Sequence, residues 1–195
     1  MKKPKLENTI IHLIGFPGTG KYTIAKEIVK MADVRMVDNH TVNNVIFNLI
    51  QADGITPLPE LVWKYTRRIW DAVQDTMVHL SPREYNFILT NVCLKDDHQD
   101  HVHLNNFELV AEMRQGSYVP IRLTLADISE HKKRITSADR ATRFKEINPD
   151  TPEKYAKTKQ LIQIDHPNVL TLDVTHLTAF EAAEIILKHA ISKHG

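Results

Sequence analysis

The chain has 195 residues, 42% of them apolar and 25% charged, and a formal net charge of +1 with histidine neutral. That composition fits one globular domain with its own core, and it excludes a disordered chain. The near-zero charge gives no global field toward nucleic acid or membrane, no apolar run reaches spanning length, and the single cysteine, Cys93, excludes an intrachain disulfide. Cys93 lies in an apolar, strand-like run and reads as a small buried hydrophobe. The start is basic, but His12 and Gly15 interrupt the apolar stretch behind it, unlike a signal peptide. Cytoplasm is therefore the expected compartment.

Five short apolar runs, at 9–15, 35–38, 86–93, 119–125 and 169–173, alternate with stretches of helical spacing. This pattern predicts an α/β domain built from parallel βαβ units. The first run opens into Gly15-Phe16-Pro17-Gly18-Thr19-Gly20-Lys21-Tyr22-Thr23, and Ile24 and Ile28 then recur at helical spacing. Strand, glycine-rich loop and helix form the context of a phosphate-binding loop. Gly15, Gly18 and Gly20 let backbone N–H groups approach an anion, and the helix start adds its positive end. Lys21 then supplies a point charge to the β- and γ-phosphates. The bland alternative is a structural glycine turn.

Most such loops carry Ser or Thr directly after the lysine; here Tyr22 stands there and Thr23 follows. The resulting G-x-P-G-x-G-K-x-T resembles the loop of adenylate kinase and its relatives, the small nucleoside, nucleotide and metabolite kinases. The resemblance implies a three-layer P-loop fold, with a five-stranded parallel sheet, helices on both faces and a lid segment. It also implies ATP and Mg²⁺ as partners, with residues 15 and 17–23 at the phosphates and the Thr23 hydroxyl near the metal.

The second strand ends in Asp38-Asn39-His40, and ligands in open α/β sheets sit at the carboxyl ends of strands. Here the chain resembles shikimate and gluconate kinase, in which an acidic residue at this point faces the acceptor. Asp38 is the corresponding candidate, to orient or deprotonate an acceptor hydroxyl or to hold Mg²⁺ through water. It can equally cap the next helix. Residues 39–80 form the expected acceptor-binding helical insertion. Within it, Val62/Ile69/Val73/Leu80 and Trp63/Trp70/Met77 make two apolar stripes, read as core-facing, and Arg67 or Arg68 is a candidate grip for an anionic acceptor.

The third strand ends at Asn91 without the acid that often closes it, and Asn91, Asp96 or Asp97 could stand in. The cluster 96–103 mixes histidines and carboxylates but reads as a helix start rather than a metal site. After the fourth strand, residues 131–145 carry six Lys/Arg against one acid. The run is either a solvated face, a nucleic-acid patch or a lid. In nucleotide kinases a lid follows the fourth strand, and the spacing of Arg134, Arg140 and Arg143 resembles it, which places the lid at about 131–150. A helix is predicted from Thr151, as cap, to about residue 164, with Pro152 in its first turn. Thr178 and Glu181 predict a capping box for the last helix. The ending resembles that of small P-loop kinases in which the loop after the last strand lies on adenine, so Asp173 to His176 are candidate base contacts.

As a whole the chain resembles the small bacterial ATP-binding proteins related to shikimate kinase and chloramphenicol phosphotransferase. The implied activity is transfer of the γ-phosphoryl group of ATP to a small-molecule acceptor, with Lys21, Asp38, Arg134 and Arg140 in the catalytic roles. Two alternatives stand beside it: a nucleotide-binding switch without an acceptor, and a kinase of polynucleotide ends, against which the near-zero charge argues. The oligomeric state is not legible.

Overall fold

The computed structural model describes residues 6–50, 52–53, 56–137, 140 and 145–193. The basic start at 1–5 and the candidate lid residue Arg143 lie outside the described residues. The expected βαβ order is present. In chain order it runs β1 Thr9–Ile14, α1 Lys21–Met31, β2 Val34–Asp38, α2 Asn39–Phe47, α3 Glu60–His79, β3 Asn86–Asn91, α4 His98–Met113 and β4 Ser117–Thr124. The last part is α5 Ile128–Ile135, α6 Thr151–Thr158, β5 Leu170–Asp173 and α7 Ala179–Ser192. All five strands are parallel, in the order β2-β3-β1-β4-β5. Parallel strands buried on both faces read as continuous apolar runs, which is why β1 and β3 were visible in the sequence.

Alternation along each strand divides the core into two layers. Ile11 and Leu13 of β1 face the side where α1 and α7 pack, with Ile24, Ile28, Ala183 and Ile186. Ile10 and Ile14 face the other side, with Trp70 and Met77 of α3 and Leu104 and Phe107 of α4. The α3 stripes are therefore split. Trp70 and Met77 are core, whereas Trp63 is 42% exposed and Leu80 fully at the surface. Trp63 instead meets Phe47 of α2 edge-on, with ring centroids 6.1 Å apart, and lines the cleft described below. The capping box of α7 forms, with Thr178 and Glu181 satisfying each other's backbone N–H groups.

The helix expected to reach residue 164 stops at Thr158. Lys159 is extended, the Lys95 and Ile162 N–H groups donate to the Gln160 and Cys93 carbonyls, and Leu161 bridges Leu94 antiparallel. A non-local ladder outcompetes the helical pattern there. The N-cap is Asp150 rather than Thr151, which is buried in the first turn.

The second layer holds a buried polar chain. The Tyr118 hydroxyl lies 2.8 Å from His12 Nδ1, and His12 Nε2 lies 2.9 Å from Asn91 Oδ1. Asn91 Nδ2 donates to His103 Nε2 at 3.0 Å and to Asn39 Oδ1 at 3.1 Å. Asn43 donates to the same Asn39 oxygen, and its own oxygen accepts from Trp70 Nε1 at 3.1 Å. Because Asn91 Oδ1 can only accept, His12 carries its proton on Nε2 and accepts the Tyr118 hydroxyl on Nδ1. Burial pushes His12 down to about 3, which keeps it neutral for that role. Replacing His12 with Leu would leave the Tyr118 hydroxyl and the Asn91 oxygen buried without a partner. Urea unfolding is expected to show a loss of about 2–6 kcal/mol, from two unsatisfied groups at about 1–3 kcal/mol each. An unchanged midpoint would refute the chain's structural role.

Candidate active site

The carboxyl ends of β1, β2 and β3 open into a cleft of about 1580 Å³. Its floor is the turn between β1 and α1. Gly18 and Gly20 have φ of 93° and 87°, the left-handed region that glycine enters freely. The loop is packed from above as well: His131 of α5 reaches 2.5 Å from the Pro17 carbonyl, and a Cβ on Gly18 would meet the His131 ring at 2.8 Å. Thr19 is buried and its hydroxyl donates to the Phe16 carbonyl. At Gly15 a Cβ would meet Thr19 Oγ1 at 2.7 Å and the Leu123 carbonyl at 3.0 Å. Gly18→Ala is thus expected to cost about 1–2 kcal/mol through left-handed strain alone, read as a fall in Tm of several degrees. An unaltered Tm would mean that the loop relaxes freely.

Lys21 opens α1, and its Nζ donates to the Gly15 and Phe16 carbonyls at 2.6 and 2.9 Å. Two further cations gather around it. Arg140 donates from Nε and one Nη to the Glu146 carbonyl, and the Lys145 N–H donates to the Arg140 carbonyl, which draws Lys145 inward. Lys145 is only 7% exposed, and its ammonium lies 4.3 Å from the Tyr22 ring centroid. Burial first, then repulsion from Arg140 and Lys145, drives Lys21 down to about 7 from 10.5. Lys21, Arg140 and Lys145, gathered on a glycine loop at the start of α1, make a positive field that a polyanion relieves.

Tyr22, at the position where a metal-binding hydroxyl is usual, is therefore the platform on which Lys145 rests. Thr23 lies on the exposed side of the first turn and lines the cleft, about 100° further round the helix than Tyr22. Sequence reasoning missed Lys145. Its one signal was the charge run, in which it could not be told from its neighbours.

Asp38, at the end of β2, is 4% exposed. One carboxylate oxygen accepts from the Thr90 hydroxyl at 2.7 Å and the other from the His40 N–H at 3.2 Å. It therefore caps α2 and also lines the cleft beside Lys21, whose ammonium it favours. His40 beside it is pushed down to about 4 by burial, then by Lys145, and is neutral. At the end of β3, Asn91 is spent in the buried chain. Asp97 caps α4, and Asp100 accepts from the Leu94 N–H while burial raises it to about 6. Among the described residues no group of three or more His, Cys, Asp or Glu is arranged to hold a metal. Of the carboxylates considered, Asp38 alone stands beside Lys21.

The lid candidates separate. Arg140 stands at the phosphate loop. Arg134 is tied to Glu130 at 2.8 Å and donates to the Val174 and Thr175 carbonyls at 3.2 and 3.1 Å, so it lines the cleft where the last strand ends. There Asp173 closes its own turn, accepting from the Thr175 N–H at 2.9 Å and hydroxyl at 2.5 Å. Val174, Leu177, Thr178 and Ala179 line that end of the cleft. The opposite end is walled by Trp63, Arg67, Asp71 and Gln74 of α3 and Asn106 of α4.

No family model and no curated protein matches the sequence. Solved structures do match in fold. The chain is similar to a sugar kinase from Janibacter sp. HTCC2649 (TM-score 0.59, 16% identity, 95% of this chain and 93% of that one). It is also similar to a gluconokinase from Sinorhizobium meliloti 1021 (0.56, 14%, 99% and 93%). A third is the APS kinase of Mycobacterium tuberculosis, solved with AMPPNP and APS (0.57, 10%, 94% and 97%). The chain has the three-layer α/β fold of the small-molecule P-loop kinases.

Proposed function

We propose that this protein is an ATP-dependent phosphotransferase that moves the γ-phosphoryl group to a small-molecule acceptor. The observation that carries the reading is the convergence of Lys21, Arg140 and Lys145 on a glycine loop with the Asp38 carboxylate across the same cleft. Loop amides and Lys21 hold the polyphosphate, and Arg140 and Lys145 meet the charge that spreads over the transferred group. Asp38 orients an acceptor hydroxyl and takes up its proton as the new O–P bond forms. Arg134 and the Val174–Ala179 turn border the base. Little covalent chemistry is asked of the protein, and positioning with electrostatics supplies the rate.

Mg²⁺ entering with the nucleotide needs few protein ligands, because it keeps several waters. The exposed Thr23 hydroxyl and, through water, Asp38 fit that sparse donor set. The ion would neutralise developing charge on the phosphates. At the far end, Arg67 beside Trp63 and Gln74 suits an anionic acceptor that also carries hydroxyls. With a net charge of +1, a small acceptor accounts for the site better than a polynucleotide end.

The test is γ-labelled ATP with a panel of sugars, hydroxy acids, nucleosides and antibiotics, scored by label transfer and acceptor-dependent ADP release. Transfer to one class, lost in Lys21→Met, supports the reading. Nucleotide binding with no transfer to any acceptor favours a switch, and transfer that survives Lys21→Met places the chemistry elsewhere.

A further inference from the structure

A second pocket, of about 330 Å³, lies behind the phosphate loop. Phe16 forms one wall, Arg122, Thr124 and Leu125 of β4 and the turn after it form the floor, and Lys159 to Gln163 form the roof. Arg122 alternates with Ile121 and Leu123, which belong to the α1 layer, so its side chain lies on the opposite face, under that roof. Its Nε is buried and makes no hydrogen bond, and among the described residues its guanidinium has no ion pair or hydrogen-bond partner at all. Buried Arg114, like Arg122, has an unpartnered Nε, but its terminal nitrogens are satisfied, as is the half-buried guanidinium of Arg134. Arg114 donates to four backbone carbonyls and Arg134 to a carboxylate and two carbonyls. The buried Arg122 Nε–H is a donor without an acceptor, and burying it costs free energy that only a partner returns.

We propose that this pocket binds a small organic anion whose carboxylate or phosphate group pairs with Arg122. The planar fork matches either oxyanion two-point, and exposed Lys159 at the rim adds a second positive charge. Phe16, Leu125 and Leu161 provide an apolar flank, and the volume sits at the small end of ligand pockets. The Phe16 ring also packs edge-on against Tyr155, with centroids 5.4 Å apart, and Tyr155 lines the main cleft. The two sites share that aromatic wall, while the second stands apart from the Lys21 cluster and does not depend on phosphoryl transfer.

The full chain is titrated separately with inorganic phosphate and with malonate while backbone amides and arginine Nε–H signals are followed by ¹H–¹⁵N spectra. Saturable shifts of Arg122 Nε–H and of the Leu161 and Gln163 amides are expected with at least one anion, and the anion that binds identifies the source class. Arg122→Gln is expected to abolish those shifts, and Lys159→Ala, on an exposed site, to weaken the binding about threefold. Shifts that are absent with both anions, that grow without saturating, or that persist in Arg122→Gln overturn the pocket.

Discussion

Lys21→Met is expected to lower phosphoryl transfer about 10²–10³-fold, the cost of removing one charge-stabilising donor, and to erase a proton uptake that accompanies nucleotide binding. The second effect is the more diagnostic. Burial and the Arg140 and Lys145 charges hold Lys21 at about 7 in the nucleotide-free protein, against 10.5 for an ordinary lysine. A bound polyphosphate reverses the sign of the local field, so the ammonium form is restored and a proton is drawn from solution. Calorimetry at about pH 8 in two buffers of different ionisation enthalpy should find nearly one proton taken up per nucleotide in the native protein. The same linkage acts on stability. From pH 7 to 10.5 the unfolded chain holds the proton that folded Lys21 has lost, so stability without nucleotide rises with pH across that window. Lys21→Met should flatten the rise. Equal proton uptake in both proteins would remove the argument that this cluster waits for a polyanion.

Much of this was legible from local pattern. The glycine turn is written in consecutive residues, so its course from Gly15 to Lys21 between β1 and α1 could be read without a fold. The place of Asp38 at the end of β2 was legible because the end of a parallel strand is a defined place. Residues whose role depends on chain that returns from far away were not. Lys145 becomes a site residue only because its N–H reaches the Arg140 carbonyl and its ammonium lands on Tyr22. Tyr22 looked like a defect in the motif until that contact supplied its partner. Arg134 and Arg140 are close in sequence, yet one faces the end of β5 and the other the phosphate loop. Asn91 is explained by His12, a histidine in an apolar strand that needed an acceptor on the neighbouring one. That histidine was the sequence signal that could have been read and was not.

Asp38→Asn separates two jobs that one carboxylate performs. As a cap, Asp38 accepts the His40 N–H, and as a sheet-end partner it accepts the Thr90 hydroxyl. Asparagine keeps the cap, because its one amide oxygen can accept the His40 N–H and it ranks with aspartate as an N-cap. Its NH2 can only donate, so the Thr90 hydroxyl loses its acceptor and must turn to accept instead. Stability should therefore fall by about 1 kcal/mol, the net worth of the Thr90 hydrogen bond. Nucleotide affinity should change less than the transfer rate, since the loop amides and Lys21 remain although the charge that favours the Lys21 ammonium is gone. What asparagine cannot do is take up a proton or present a negative charge to the acceptor and its metal. Transfer to the acceptor is thus expected to fall about 10²–10⁴-fold, the ordinary worth of a positioned general base. Asp38→Ala adds the loss of the cap, about 1 kcal/mol, and should lower Tm as well as rate. If Asp38→Asn transfers phosphate at the native rate while Asp38→Ala merely unfolds sooner, the carboxylate is a helix cap and the proton acceptor must be sought elsewhere in the cleft. Neutral His40, two residues on, whose Nδ1 is buried without a partner among the described residues, would then be the next group to replace.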